Sequence, residues 1–109
     1  MLTTREYMER EENTIMSDLE EFAANNDVSG FLEYLDHPET YDNTGINFVI
    51  NSQKEFIGCQ IELAGGGPTT WADTQSATLD TTWNGGSISR DLPEEVCEFI
   101  NDVILEYVF

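Results

Sequence analysis

The apolar residues of this chain change their spacing twice along its 109 residues, which excludes an all-helical and an all-sheet fold. Over residues 4–25, Met8, Ile15, Leu19 and Phe22 fall within a narrow arc at ~100° per residue, the pattern of an amphipathic helix. Asn25-Asn26-Asp27 then breaks the helix and supplies a cap for the next. Val28, Phe31, Leu32 and Leu35 recur at i, i+3, i+4 and i+7, so a second short helix is expected to about Asp36, stopping before Pro38. The two helices are expected to form a hairpin over residues 1–37.

From Gly45 the period becomes two. Ile46, Phe48 and Ile50 alternate with Asn47, Val49 and Asn51; Ile57, Cys59, Ile61 and Leu63 alternate with Gly58, Gln60 and Glu62. This predicts two strands joined by a turn at residues 52–54. Beyond Gly65-Gly66-Gly67-Pro68 lie two segments rich in threonine and tryptophan, 70–74 and 77–83, and then Asn84-Gly85, the strongest short hairpin signal in the chain. A last strand at 87–90 completes an antiparallel meander over 45–90.

The helical period returns over residues 91–109. Asp91-x-x-Glu94, with Pro93 in the first turn, reads as a helix start. Val96, Phe99, Ile100, Val103, Ile104 and Tyr107 share one face, while Glu94, Glu95, Glu98, Asp102 and Glu106 form a carboxylate stripe with no lysine between them. The expected architecture is a single α+β domain: an antiparallel sheet of four to five strands with the N-terminal helical hairpin and the C-terminal helix packed on it. If all three helices take one face, their acidic stripes meet in one surface.

Charge points to function. The chain holds 22 acidic residues against four basic ones, a formal net charge of -18, yet 39% of its residues are hydrophobic and 11% aromatic, as in a folded protein. Solubility needs a net charge of only about 2 to 8 on a small domain. Duplex DNA carries one charge per ~1.7 Å of axis, so the excess equals that of about 30 Å of duplex. Such a surface is repelled by nucleic acid and anionic lipid and attracts a basic partner. No stretch approaches the roughly 18 apolar residues of a membrane span, and the first residues do not read as a secretion signal, so a cytoplasmic protein is expected. At this length a core forms without disulfides or metal, and Cys59 and Cys97 are expected to stay reduced.

Sites for chemistry are few. The triple glycine lacks the Gly-Lys-Ser/Thr of a phosphate loop and leads into a strand, so it reads as a tight connection. His37, the single histidine, reads as a solvent-facing helix-end residue. Cys59 falls on the inward side of a strand and Cys97 on a helix flank, without further thiolate or imidazole ligands. Asp36, Glu39 and Asp42 lack the alternating spacing and terminal glutamate of a calcium loop. No catalytic, cofactor-binding or metal-binding residues are therefore assigned, and an enzyme is not expected. Trp71 and Trp83, on adjacent strands, could share a face and anchor a partner, or pack under the helices.

In its size, its charge and its lack of catalytic motifs, with Glu6, Glu9, Glu20 and Glu21 on the first helix and Glu95, Glu98, Asp102 and Glu106 on the last, the chain resembles the DNA-mimicking anti-restriction and anti-CRISPR inhibitors of phages and mobile elements. The resemblance implies a non-enzymatic inhibitor, in the cytoplasm of the host cell if phage-encoded. Its eight carboxylates would stand where DNA phosphates sit in the basic groove of a host defence nuclease complex. Two alternatives share the composition: an acidic immunity or antitoxin protein that neutralises a basic toxin, and a halophile-adapted protein with no such partner. Tyr107-Val108-Phe109 is a possible homodimer contact or part of the core.

Overall fold

The computed structural model describes residues 1–35, 45–64 and 67–109. Helix α1 (Thr4–Asn25) and helix α2 (Val28–Leu35) precede five strands, β1 (Ile46–Ile50), β2 (Phe56–Ala64), β3 (Thr69–Asp73), β4 (Thr78–Trp83) and β5 (Gly86–Asp91). Helix α3 (Glu94–Tyr107) closes the chain. The strands lie in chain order as a purely antiparallel meander, so the fold is α+β as the periodicity requires.

One face of the sheet is apolar and carries all three helices. Cys59 and Ile61 of β2, Ala72 of β3 and Leu79 of β4 meet Ile15 and Leu19 of α1, Phe31 of α2 and Val96, Ile100 and Ile104 of α3 in a single core. Phe31 lies at its centre, fully buried, with its ring 5.3 Å from that of Phe99 on α3 and 5.8 Å from that of Phe22 on α1. The other face carries Gln60, Glu62, Trp71, Asp73, Asp80 and Ser89, which strand alternation turns away from the helices.

Local chemistry accounts for most boundaries. At Thr3 a full capping box forms: its hydroxyl accepts the Glu6 N–H at 3.1 Å and its own N–H donates to the Glu6 carboxylate at 3.1 Å. Asn26 ends α1 in the left-handed region, and the Asp27 carboxylate accepts the Gly30 N–H at 3.0 Å, so the Asn-Asn-Asp break does both things expected of it. Asn84 and Gly85 both have positive φ, at 50° and 82°, as a two-residue hairpin turn with the right twist requires.

Three sequence expectations are corrected. Asp91 does not cap α3, because it is the last residue of β5, paired with Thr78 of β4, and the Leu92 N–H continues the ladder to the Ala77 carbonyl at 2.8 Å. The chain stays extended until Pro93, which takes the capping position with no side-chain hydrogen bond. Trp71 and Trp83 lie on opposite faces: Trp71 pairs with Asp80, so Trp83, three residues further along β4, points to the helices and meets Tyr7 edge-on at 5.2 Å. The alternation of β1 and β2 is interrupted where Val49 pairs with Gly58 but Ile50 pairs with Phe56, leaving Ile57 as an extra residue on β2 and Ile57, Phe48 and Ile50 exposed. Across the sheet, Arg90 of β5 reaches Glu12 of α1. His37, the Asp36, Glu39 and Asp42 group and Gly65-Gly66 lie outside the described residues.

Among the described residues no helix is long and apolar enough to cross a membrane, and no three His, Cys, Asp or Glu side chains gather as a metal site.

Candidate functional site

Helix α3 turns Val96, Phe99, Ile100, Val103 and Ile104 into the core, and helical geometry then forces Glu95, Glu98, Asp102 and Glu106 outward within an arc of about 80°. At 1.5 Å per residue these four carboxylates span about 16 Å, one every 5 Å or so. A single DNA strand places a phosphate every 3.4 Å along the duplex axis. The row therefore approaches the linear charge density of one strand over half a helical turn of duplex.

The same residues wall a groove of about 480 Å³ between α3 and the junction of α1 with α2. Ala23, Asn26 and Val28 form the facing wall, and no lysine or arginine lines it. The four cations of the chain are elsewhere: Arg5 pairs with Glu9 at 2.8 Å, Arg90 with Glu12 at 2.6 Å, Arg10 stands near Glu6, and Lys54 sits in the β1–β2 turn.

Helix stability accounts only for Glu95, which the dipole favours in the first turn, and not for the rest of this row. Glu95–Glu98 and Glu98–Asp102 and Asp102–Glu106 are neighbours at three or four residues, and each such like-charge pair costs about 0.2–0.5 kcal/mol. Glu106 also sits in a last turn that has no basic residue, against the helix dipole.

The remaining four carboxylates of the eight expected from sequence are placed differently. Glu20 lies on α1 one turn before Ala23 but does not line the groove, and Glu21 points about 160° away from the α1 core face. Glu6 and Glu9 stand about 20 Å farther along α1. Both are engaged locally: the Thr3 backbone N–H, then its hydroxyl, holds the Glu6 carboxyl below its ordinary value, and Glu9 accepts the Arg5 guanidinium. The structure thus gathers four of the eight carboxylates at the groove and leaves the other four outside its lining.

Two polar features were missed from sequence. Glu12 is 1% exposed; its carboxylate accepts the Thr81 hydroxyl and the Arg90 N–H, both at 2.6 Å, and Thr81 in turn meets Thr70 at 2.9 Å. Its signal was legible, because Met8, Glu12, Ile15 and Leu19 form one i, i+4, i+7, i+11 stripe. The second feature is the open sheet face, where Trp71 stands in a shallow depression with Gln60, Asp73 and Asp80. Asp80 accepts the Ser89 hydroxyl at 2.5 Å and that of Thr78 at 3.0 Å. Burial works to raise the Asp73 carboxyl, but the Ser76 and Gln75 N–H groups and the Gln60 amide outweigh it and hold it below its ordinary value.

Neither cysteine is activated. Burial pushes the Cys59 thiol up to about 11, against a smaller opposing hydrogen bond from Thr74, and burial raises Cys97 as well. Both are therefore protonated at neutral pH.

Compared with protein-family models, with curated proteins and with solved structures, the chain matches none.

Proposed function

We propose that this chain is a non-enzymatic inhibitor of a host defence nuclease complex, of anti-restriction or anti-CRISPR type, that acts as an acidic DNA mimic. The row Glu95, Glu98, Asp102 and Glu106, walling a groove without a cation, carries this reading. Each carboxylate offers a planar acceptor pair to an arginine that would otherwise hold a phosphate, so α3 would lie in the basic groove in place of one strand. Association would be fast and steeply salt-dependent, because the charges that steer it are exposed.

The test is capture of partners from a lysate containing host defence complexes, at low and at high salt. Recovery of a DNA-binding nuclease complex, released by salt and displaced by duplex DNA, supports mimicry; a complex indifferent to both salt and DNA overturns it.

A second reading rests on the open sheet face. Glu62, Asp73, Asp80 and Asp91 lie there, away from the groove, as expected of a surface adapted to concentrated salt rather than to one partner. Dialysis into low salt separates the two: a salt-adapted chain unfolds, and an inhibitor stays folded.

A further inference from the structure

The two edges of the sheet are built differently. Edge strand β5 carries Arg90 and Asp91, and Arg90 is tied to α1 through Glu12. Edge strand β1, Ile46–Ile50, has no charged residue in a chain that holds 22 carboxylates. An edge strand presents a row of unpaired N–H and C=O groups, and proteins ordinarily blunt it with charge, proline, a bulge or a covering element. The bulge between β1 and β2 adds its extra residue, Ile57, to β2, and among the described residues no strand pairs with the outer row of β1.

Apolar exposure collects at this end of the molecule. Phe48, Ile50 and Ile57 are 42%, 48% and 44% exposed, and Val108 and Phe109 39% and 52%. Phe109 ties the chain end to the strands, its ring 5.1 Å from that of Phe48 and 5.2 Å from that of Phe56. Beside them runs a groove of about 260 Å³ with Leu35, Ile46, Ile61 and Val108 in its wall and the Glu62 carboxylate at its side.

We infer that β1 is the contact strand of a two-fold dimer of this chain. The β1 strands of two copies pair antiparallel, joining two five-stranded sheets into one, and Phe48, Ile50, Val108 and Phe109 of each copy close over the junction.

Three observations favour a second copy over another partner. A five-residue strand crossed by a two-fold axis is complementary to itself in the antiparallel sense, and here that axis passes near Phe48, the middle residue. A strand without charge suits a chain whose own surface is anionic and gives a basic partner nothing to pair with. The four half-exposed side chains that close over the junction present on the order of 300 Å² of apolar surface per copy, given the 150–250 Å² of a whole aromatic side chain. Two copies with their edge backbones then bury roughly 800 Å², short of the roughly 1,000 Å² of a stable interface and in the range of a transient one. The dimer is consequently weak and concentration-dependent.

Its salt response has the opposite sign to that of a complex with a basic target. Each copy carries -18, so screening strengthens self-association. The inference does not depend on the DNA-mimic reading and is measured on the isolated chain.

The experiment is sedimentation equilibrium of the purified chain from about 1 μM to about 1 mM, in about 50 mM and about 1 M salt, a range that brackets a weak interface. The expected result is a monomer–dimer equilibrium about tenfold tighter in the higher salt. Ile50→Lys and Phe48→Lys should each weaken it at least about tenfold, since each buries an ammonium or sets two together across the axis. Phe48→Lys also loses the contact with Phe109, so Ile50→Lys decides if that variant melts early by circular dichroism. Slowed hydrogen exchange of the outward β1 amides at high protein concentration would place the contact. A monomer at the highest concentration in about 1 M salt overturns the inference, as does a dimer that tolerates Ile50→Lys without slowed β1 exchange.

Discussion

The Arg90 guanidinium donates to the buried Glu12 carboxylate at 2.6 Å, joining α1 to β5 across 78 residues of sequence. The remaining Glu12 oxygen accepts from Thr81, so the carboxylate is fully partnered although it sits in the helix–sheet interface. Arg90 is one-third exposed, whereas Glu12 is 1% exposed. The two ends of the pair therefore respond differently when the other is removed.

Arg90→Ala leaves the Glu12 carboxyl buried without its cation and is expected to cost about 3 kcal/mol, because an uncompensated buried group keeps its full desolvation cost. Replacing both residues by leucine is expected to recover most of that loss, as Thr81 retains Thr70. Urea unfolding of the two variants, compared at constant m-value, checks both statements.

Why this pair escaped the sequence reading is physical. A glutamate on a helix is assigned to solvent by default, even inside the Met8, Ile15 and Leu19 stripe, and nothing in α1 announces a partner on β5. The helices, by contrast, were legible from periodicity because each has one continuous apolar face, and the Asn84-Gly85 hairpin because only residues tolerant of positive φ suit that turn. The tryptophans stay open in the sequence for want of register: whether Trp83 shares a face with Trp71 depends on the single pairing of Trp71 with Asp80, and a shift of one residue reverses it. The α3 carboxylates could be assigned to one stripe, since the core face of that helix fixes the rest. That this stripe faces the α1–α2 junction is set by packing between Phe31 and Phe99, which no spacing encodes.

Alkaline pH should loosen the core. Burial raises Cys59 to about 11 from an ordinary 9.0, and burial likewise raises Cys97 and Tyr34, the latter beside Asp18. Each group binds its proton more tightly folded than unfolded. Stability is thus full below pH 9, where the thiols are protonated in both states, and falls as pH rises from 9 through 11. Thermal melts should show Tm dropping over that window, with a shallower drop in Cys59→Ala than in the parent chain.

Trp71 should report the charge of the open face. Gln60, Asp73 and Asp80 surround it, whereas Trp83 packs against Tyr7 on the other side of the sheet. In a Trp83→Phe variant, caesium should quench the remaining fluorescence several-fold more effectively than iodide at low ionic strength. The difference should vanish near 1 M salt, where the Debye length falls to about 3 Å. Equal quenching by both ions in dilute buffer would mean that the carboxylates of this face do not set the local potential.

Reversing Glu95, Glu98 and Asp102 to lysine together tests whether the α3 row acts or merely dissolves. The change removes two like-charge pairs at i, i+3 and i, i+4 but makes lysine pairs of the same spacing, so the gain within the helix is small. What shifts is the field: net charge moves from -18 to -12, since each replacement adds two units, and the lysines face Glu106 and the carboxylates beyond the groove. The fold is accordingly expected to be unchanged or more stable by up to about 1 kcal/mol, read from Tm. Inhibition of the captured nuclease complex should fall by orders of magnitude, because three contacts that each attract an arginine become three that repel it. The control is Glu6, Glu9 and Glu21 reversed to lysine, the same change of six units at positions that do not line the groove, where Glu6 caps the helix and Glu9 holds Arg5. That variant should lose helix stability yet keep most of its inhibition, and equal inhibition losses in the two would assign the effect to total charge rather than to the groove.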